Sequence, residues 1–157
     1  MPRRYWLMKC EPDAYSIHDL ARDGETKWEG VRNYQARNFM RDQMQVGDGV
    51  LFYASSADPS GVTGLAEVSK AGYPDQTAWK KGHIYFDEAS TKEKPVWFMV
   101  DIKFVEAFPA IVPLDELKTV KGLEDMMVIR KGARLSVQPV TKGEFDIVSK
   151  LGRRKAT

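Results

Sequence analysis

The run Val96–Phe108, VWFMVDIKFVEAF, is the longest strand signal in the chain. It begins as a continuous apolar stretch and then alternates, with Val100, Ile102 and Phe104 facing one way and Asp101 and Lys103 the other. Four shorter runs share its character: Tyr5–Cys10, Val50–Ser55, Val62–Val68 and Arg134–Gln138. Gly64, inside the third of these, marks a bulge or a close approach of another backbone or a ligand.

Helix signals are short and lie between the strands. Ser16 caps Ile17–Arg22, with Asp19 as the matching acid. Asn33 caps a second helix whose Ala36, Phe39, Met40 and Met44 form an apolar stripe that stops near Gly47. Leu114–Lys118 suits a third helix, and Met126–Arg130 an extended or turn segment. Thr141 and Glu144 make a capping box that opens Lys142–Leu151, and Gly152 terminates it. Grouped strands with few helices predict an α+β fold, and glycine turns between short strands predict a closed or nearly closed small barrel of five or six strands. The stretch Gly72–Pro95 has no sustained period and is read as a lid, a second contact surface, or an irregular loop pinned by Trp79.

Length and composition bound the rest. A chain of 157 residues, 43% apolar and 29% charged, suits one domain over 1–152 followed by a frayed basic tail at 153–157. A net charge of +2 allows a local basic patch without demanding long tracking of a nucleic-acid backbone. Cys10 is alone, so no internal disulfide forms, and with His18 and His83 it leaves too few soft ligands for zinc. No metal and no cofactor are expected. The absence of a membrane-length apolar run and of a signal segment places the expectation in the cytoplasm.

One stretch concentrates recognition chemistry. Trp28–Met44, WEGVRNYQARNFMRDQM, joins a large aromatic, a glycine hinge, amides and arginines in a loop that feeds a helix start favourable to anions. An aromatic, an amide and a phosphate-friendly terminus are what a nucleotide requires. Equally, the tryptophan fits a core and the arginines a solvated face.

The segments YWLMKCEPDAYSI at 5–17, WEGVRNYQARNFM at 28–40, VGDGVLFYAS at 46–55, GVTGLAEV at 61–68 and RLSVQPVT at 134–141 together resemble the EVE domain family, relatives of the PUA, ASCH and YTH domains. The resemblance runs over nearly the whole chain, in the family's order. It implies a PUA-like β-barrel flanked by helices, with a pocket for a nucleobase that in related domains is modified. The implied partner is therefore DNA or RNA carrying a modified base, flipped out if it comes from a duplex. On this reading the base pocket comprises Lys9, Cys10, Glu11, Trp28, Val31, Asn33, Gln35, Tyr53 and Ser55. Trp28 is the flat surface, Asn33 and Gln35 read the base edge, Lys9 and Glu11 sit at the rim, and Tyr53 and Ser55 close the far wall. Arg32 and Arg37 are the phosphate partners. Replacing Trp28 with alanine is expected to abolish base binding and leave the protein folded. Cys10 stands where the family's K-S-E-P motif has serine, which exchanges a hydroxyl for a weaker thiol donor. Two rivals stay open: a binder of a small molecule or protein through the same cavity, and an enzyme using Cys10, Glu11 and His18.

Overall fold

The computed structural model describes residues 3–130, 132 and 134–154. Strand β1 (Tyr5–Cys10) runs parallel to β3 (Gly49–Ala54), and the other four ladders are antiparallel. The sheet is six-stranded and mixed, in the order β2-β5-β4-β3-β1-β6, where β2 is Glu25–Lys27, β4 Gly61–Pro74, β5 Phe98–Pro113 and β6 Val137–Val140. The chain passes from β1 to β3 through helix α1 (Ile17–Asp23), β2 and helix α2 (Tyr34–Asn38), and this crossover carries the stretch rich in recognition groups.

Strand alternation builds two cores. Trp6 and Met8 of β1 and Phe52 of β3 face one way and pack with Ile17, Leu20, Ala36, Met40 and Trp28. Tyr5, Leu7, Leu51 and Tyr53 face the other way and meet Leu117, Phe145 and Val148. The last three belong to helices α3 (Leu114–Leu117) and α4 (Lys142–Arg154). The parallel pair is thus covered on both faces, the usual condition for such strands. The first core draws side chains from five strands, so the expected barrel takes the form of a mixed sheet around one apolar interior, with β2 and β6 as its edges. Asp48 secures the entry to β3: its buried carboxylate accepts from the Trp6 indole at 2.9 Å and from the Arg4 and Gln45 amides.

Several predicted boundaries move, each for a physical reason. The second helix begins at Asn33 as expected, but Phe39–Gln43 is a wide π turn closed by the Met44 amide on the Phe39 carbonyl. β4 runs on to Pro74 and packs at Gly72 against that turn, where a Cβ would lie 2.5 Å from the Met40 carbonyl oxygen. β5 starts at Phe98 and continues through Pro109, which falls where the ladder with β4 slips between Gly64–Ala107 and Val62–Val112. Met127–Ile129 is a single 3₁₀ turn. Gly152 does not end the last helix; it lies inside α4, because the Phe108 ring sits where a Cβ would fall, 2.3 Å away. Arg153 and Arg154 are therefore helical rather than frayed, and Arg153 pairs with Glu106 at 2.9 Å; residues 155–157 of the expected tail lie outside the described residues. The stretch Trp28–Val31, read as a strand end and loop, follows directly on β2, whose extent over Glu25–Lys27 was not foreseen. Among the described residues no helix is long and apolar enough to cross a membrane, and no group of three or more His, Cys, Asp or Glu is gathered for a metal.

Both readings of Gly64 hold. The register shifts beside it, and an added Cβ would lie 2.4 Å from the Glu106 carbonyl oxygen and 2.7 Å from the Ile17 side chain. Gly64→Ala is expected to lower stability by about 1–3 kcal/mol through overpacking, whereas Gly143→Ala, in the open first turn of α4, should be neutral or add up to about 1 kcal/mol. Urea unfolding checks the pair; equal effects at the two glycines would contradict it.

Candidate base-binding cleft

The crossover loop after β2 lines a cleft of about 440 Å³, within the range of small-ligand pockets. Its walls include Lys9 and Cys10 from the end of β1, Trp28–Arg32, Tyr15, Tyr85 and Ser136. Of the residues singled out from sequence, Lys9, Cys10, Trp28, Val31 and Arg32 meet here. Trp28 is tethered by its amide to the Val100 carbonyl at 2.8 Å, and its ring stands edge-on to Phe52 at 5.7 Å. Only 8% of Trp28 is exposed, so the indole is at once core and cleft floor. Its replacement by alanine would cost about 3–5 kcal/mol of folding free energy. In the alanine variant lost packing would therefore be mixed with lost binding, and Trp28→Phe is the informative change.

The other candidates lie elsewhere. Asn33 spends its side chain capping α2, accepting from the Ala36 amide at 3.0 Å, and it is exposed, as are Gln35 and Glu11. Tyr53 is 3% exposed and belongs to the second core: alternation along β3 puts it on the face opposite Phe52 and therefore opposite Trp28. Ser55 follows β3, its amide bonded to the Cys10 carbonyl at 3.0 Å, and its side chain does not line the cleft. Arg37 donates to the Val96 carbonyl at 2.8 Å and to Asn38, and packs on Tyr34; it fastens the loop before β5 onto α2.

Arg32 is also committed. One Nη donates to Asp75 at 3.1 Å, the other to the Tyr85 carbonyl at 2.6 Å, and the guanidinium lies over the rings of Tyr85 and Trp97. Asp75 is completely buried and accepts from the Gly30 amide at 2.8 Å, the Thr77 amide at 2.9 Å and the Thr77 hydroxyl at 2.5 Å as well. Burial alone would raise this carboxyl; the Gly30 amide, Thr77 and Arg32 outweigh it and hold the group below the usual carboxylate range. Gly30, at φ +85°, lies flat beneath Tyr85, whose ring would be 2.4 Å from an added Cβ. The segment 75–97 is thus an ordered wall, closed at its base by the Asp75 amide on the Trp97 carbonyl and braced by the Trp97 indole on Asp87 at 2.6 Å.

Sequence reasoning missed Asp75, Tyr85, Tyr15 and Ser136. Gly30 was the one available signal for Tyr85, since glycine marks close approach, but nothing in the sequence names the approaching ring.

Electrostatics at the β1 end favour donors. Burial pushes the Lys9 ammonium down from its ordinary value, and the ammonium lies 5.7 Å from the Tyr53 ring centroid. Burial first, then the Glu11 charge, pushes the Cys10 thiol up, so it stays protonated and rests 3.7 Å from the Glu11 carbonyl. His18 borders a different, apolar cavity of about 290 Å³ beside Ile17 and Phe108.

The buried carboxylate generates a pH prediction. A folded-state pKa below the unfolded one adds stability above the ordinary aspartate value, and that stability is lost as pH falls through the lowered folded value. Wild type should exceed Asp75→Asn by about 3 kcal/mol at neutral pH, since Arg32 loses its buried counter-charge, and the gap should close on acidification below the normal aspartate range. Thermal unfolding across pH measures it; a gap independent of pH would contradict the assignment.

Comparison with known proteins accords with this geometry. The family model for the EVE domain matches residues 4–151. Mouse Thymocyte nuclear protein 1 is 41% identical over 165 aligned positions, spanning 94% of this chain and 73% of the mouse protein. A hypothetical protein from Leishmania major superposes with a TM-score of 0.93 at 45% identity, covering 99% of this chain and 98% of that one. Human THYN1 protein, solved in complex with 5-methylcytosine-containing DNA, superposes with a TM-score of 0.87 at 39% identity, covering 95% of this chain and 97% of that one. With the match running from β1 into the last helix and the same fold recurring in relatives this similar, the chain belongs to the EVE domain family.

Proposed function

We propose that the Trp28–Arg32 cleft holds one modified nucleobase, extruded from a nucleic-acid strand, and that the protein reads it without chemical change. The observation that carries this is the cleft itself: Trp28, a tyrosine wall at Tyr85 and the end of β1 at Lys9 and Cys10 converge on one opening, in a fold shared with human THYN1 protein, which was solved in complex with 5-methylcytosine-containing DNA. A 5-methylated cytosine suits the lining. Its methyl group would meet Trp28 and Val31, and its exocyclic amine would donate to Glu29, which lines the cleft where Glu11 does not. Ser136, which lines the same cleft, would supply a donor to the ring carbonyl. Cys10 as a protonated thiol, with His18 at another cavity, supports binding rather than nucleophilic catalysis. The animal relatives carry a nuclear name, and for this chain the cytoplasmic expectation is kept only as part of the proposal.

Because Arg32 and Arg37 are spent internally, phosphate contacts are assigned to a neighbouring groove of about 520 Å³. It shares Lys9 with the cleft and carries Lys118, Arg130 and Arg134. Two of them are held only at the surface: Lys118 lies 4.0 Å from Asp115, and Arg130 donates to the Asp125 carbonyl at 3.2 Å.

The direct test is anisotropy with single-stranded oligonucleotides that carry one 5-methylcytosine or none. Preference for the methylated strand, weakened at least about threefold in Trp28→Phe, is expected, since stacking and packing against a base contribute about 1–3 kcal/mol. Equal affinity for the two strands would sink the modified-base reading. Neutralising Lys118, Arg130 and Arg134 together should reduce the slope of log affinity against log salt by about 2 units, at about 0.7 per phosphate on a single strand, and leave nucleoside binding unchanged. An unaltered slope would remove the groove from the path; salt-independent binding would favour a free small molecule as the ligand.

A further inference from the structure

Ile84 is 86% exposed, more than any other large apolar side chain among the described residues. It occupies a central position of the turn His83–Phe86, closed by the Phe86 amide on the His83 carbonyl at 3.0 Å. Such corners are ordinarily filled by glycine, proline, asparagine, aspartate or serine, so turn chemistry gives no reason for a β-branched aliphatic. The turn is also rigid. The His83 ring accepts from the Tyr85 amide at 3.0 Å, and the His83 amide donates to the Lys80 carbonyl at 3.0 Å. Arg32, anchored by buried Asp75, grips the Tyr85 carbonyl at 2.6 Å.

The next residue, Tyr85, is a wall of the cleft with its ring on Gly30. An exposed aliphatic is thereby held one residue from the mouth of the pocket by a chain of hydrogen bonds that ends in the core. A base that leaves a duplex for this pocket opens a gap in the stack directly above the mouth. The faces of that gap are the apolar surfaces of the flanking base pairs, which an aliphatic side chain can fill and water cannot satisfy. Phe86, 37% exposed, follows in the same turn and adds apolar surface beside it.

We propose that Ile84 is an intercalating wedge: it enters the base stack of a duplex at the position vacated by the base that the Trp28–Arg32 cleft holds. This rests on the flipped-base reading, and it assigns the turn His83–Phe86 a ligand of its own, the unstacked step of double-stranded nucleic acid. A wedge acts only where a stack must be opened, so it matters for duplex substrates and not for single strands.

The test compares wild type with Ile84→Ser and Ile84→Met on a duplex carrying one 5-methylcytosine beside 2-aminopurine, and on the single strand of the same sequence. Ile84→Ser should bind the duplex at least about tenfold more weakly and lose the fluorescence rise that reports unstacking, while single-strand affinity stays within about twofold. Ile84→Met, still long and apolar, should retain most of both. Unchanged duplex affinity in Ile84→Ser, or an equal loss on both substrates, would overturn the wedge and leave the base pocket standing. Wild type that binds the methylated single strand but not the duplex would do the same. Wild type that prefers neither methylated substrate would take down the pocket, and the wedge with it.

Discussion

A single buried carboxylate organises the cleft end of this molecule. Asp75 accepts four hydrogen bonds with no exposure to solvent, and each donor belongs to something the cleft needs: Gly30 of the crossover loop, Arg32 beside it, and the first turn of the segment that returns with Tyr85. Charge-assisted bonds of this kind are the strong ones, and a buried charge tolerates the loss of none of them cheaply. The consequence is geometric. Two irregular segments, distant in sequence, become opposite walls of one opening without any regular ladder between them.

The sheet supplies the other constraint. Because β1 and β3 are parallel, the chain must cross from the end of one to the start of the other, and that crossover delivers the Trp28–Arg32 loop past the end of β1. Lys9 and Cys10 close β1 there, which is why the strand end and the loop share a cleft. Trp28 joins them by insertion into the first core against Phe52, so the floor of the site and the packing of the fold are one object. Floor and walls are therefore held by packing and by buried hydrogen bonds rather than by mobile loop contacts.

Much of this was legible in the residues. Tyr5–Cys10 as a central strand, a strand within Val96–Phe108, the Ser16 and Thr141 capping boxes and the Asn33 cap all appear, because each is decided by neighbours within a few positions. What depended on distant partners was not legible. Glu25–Lys27 has no apolar pattern and is a strand only because β5 pairs with it. Arg32 and Arg37 look like free phosphate ligands until the 75–97 segment folds back and takes their donors. Gly152 after an apolar stripe reads as a stop, and only the position of Phe108 shows that the glycine serves close packing. Tyr53 and Ser55 were assigned to the cleft from their shared face, but which face carries Trp28 is settled by the packing of Phe52.

The account's central claim is that the ligand sits on the indole edge of Trp28, beside Gly30. The most direct measurement is the amide and indole NMR spectrum of the ¹⁵N-labelled protein during titration with a short strand containing 5-methylcytosine. The Trp28 indole N–H and the Gly30 amide should shift together and saturate. The Trp6 indole, locked to Asp48 in the interior, should stay in place. Shifts confined to the surroundings of His18 and Ile111, or a Trp28 signal that does not move as the strand binds, would contradict it.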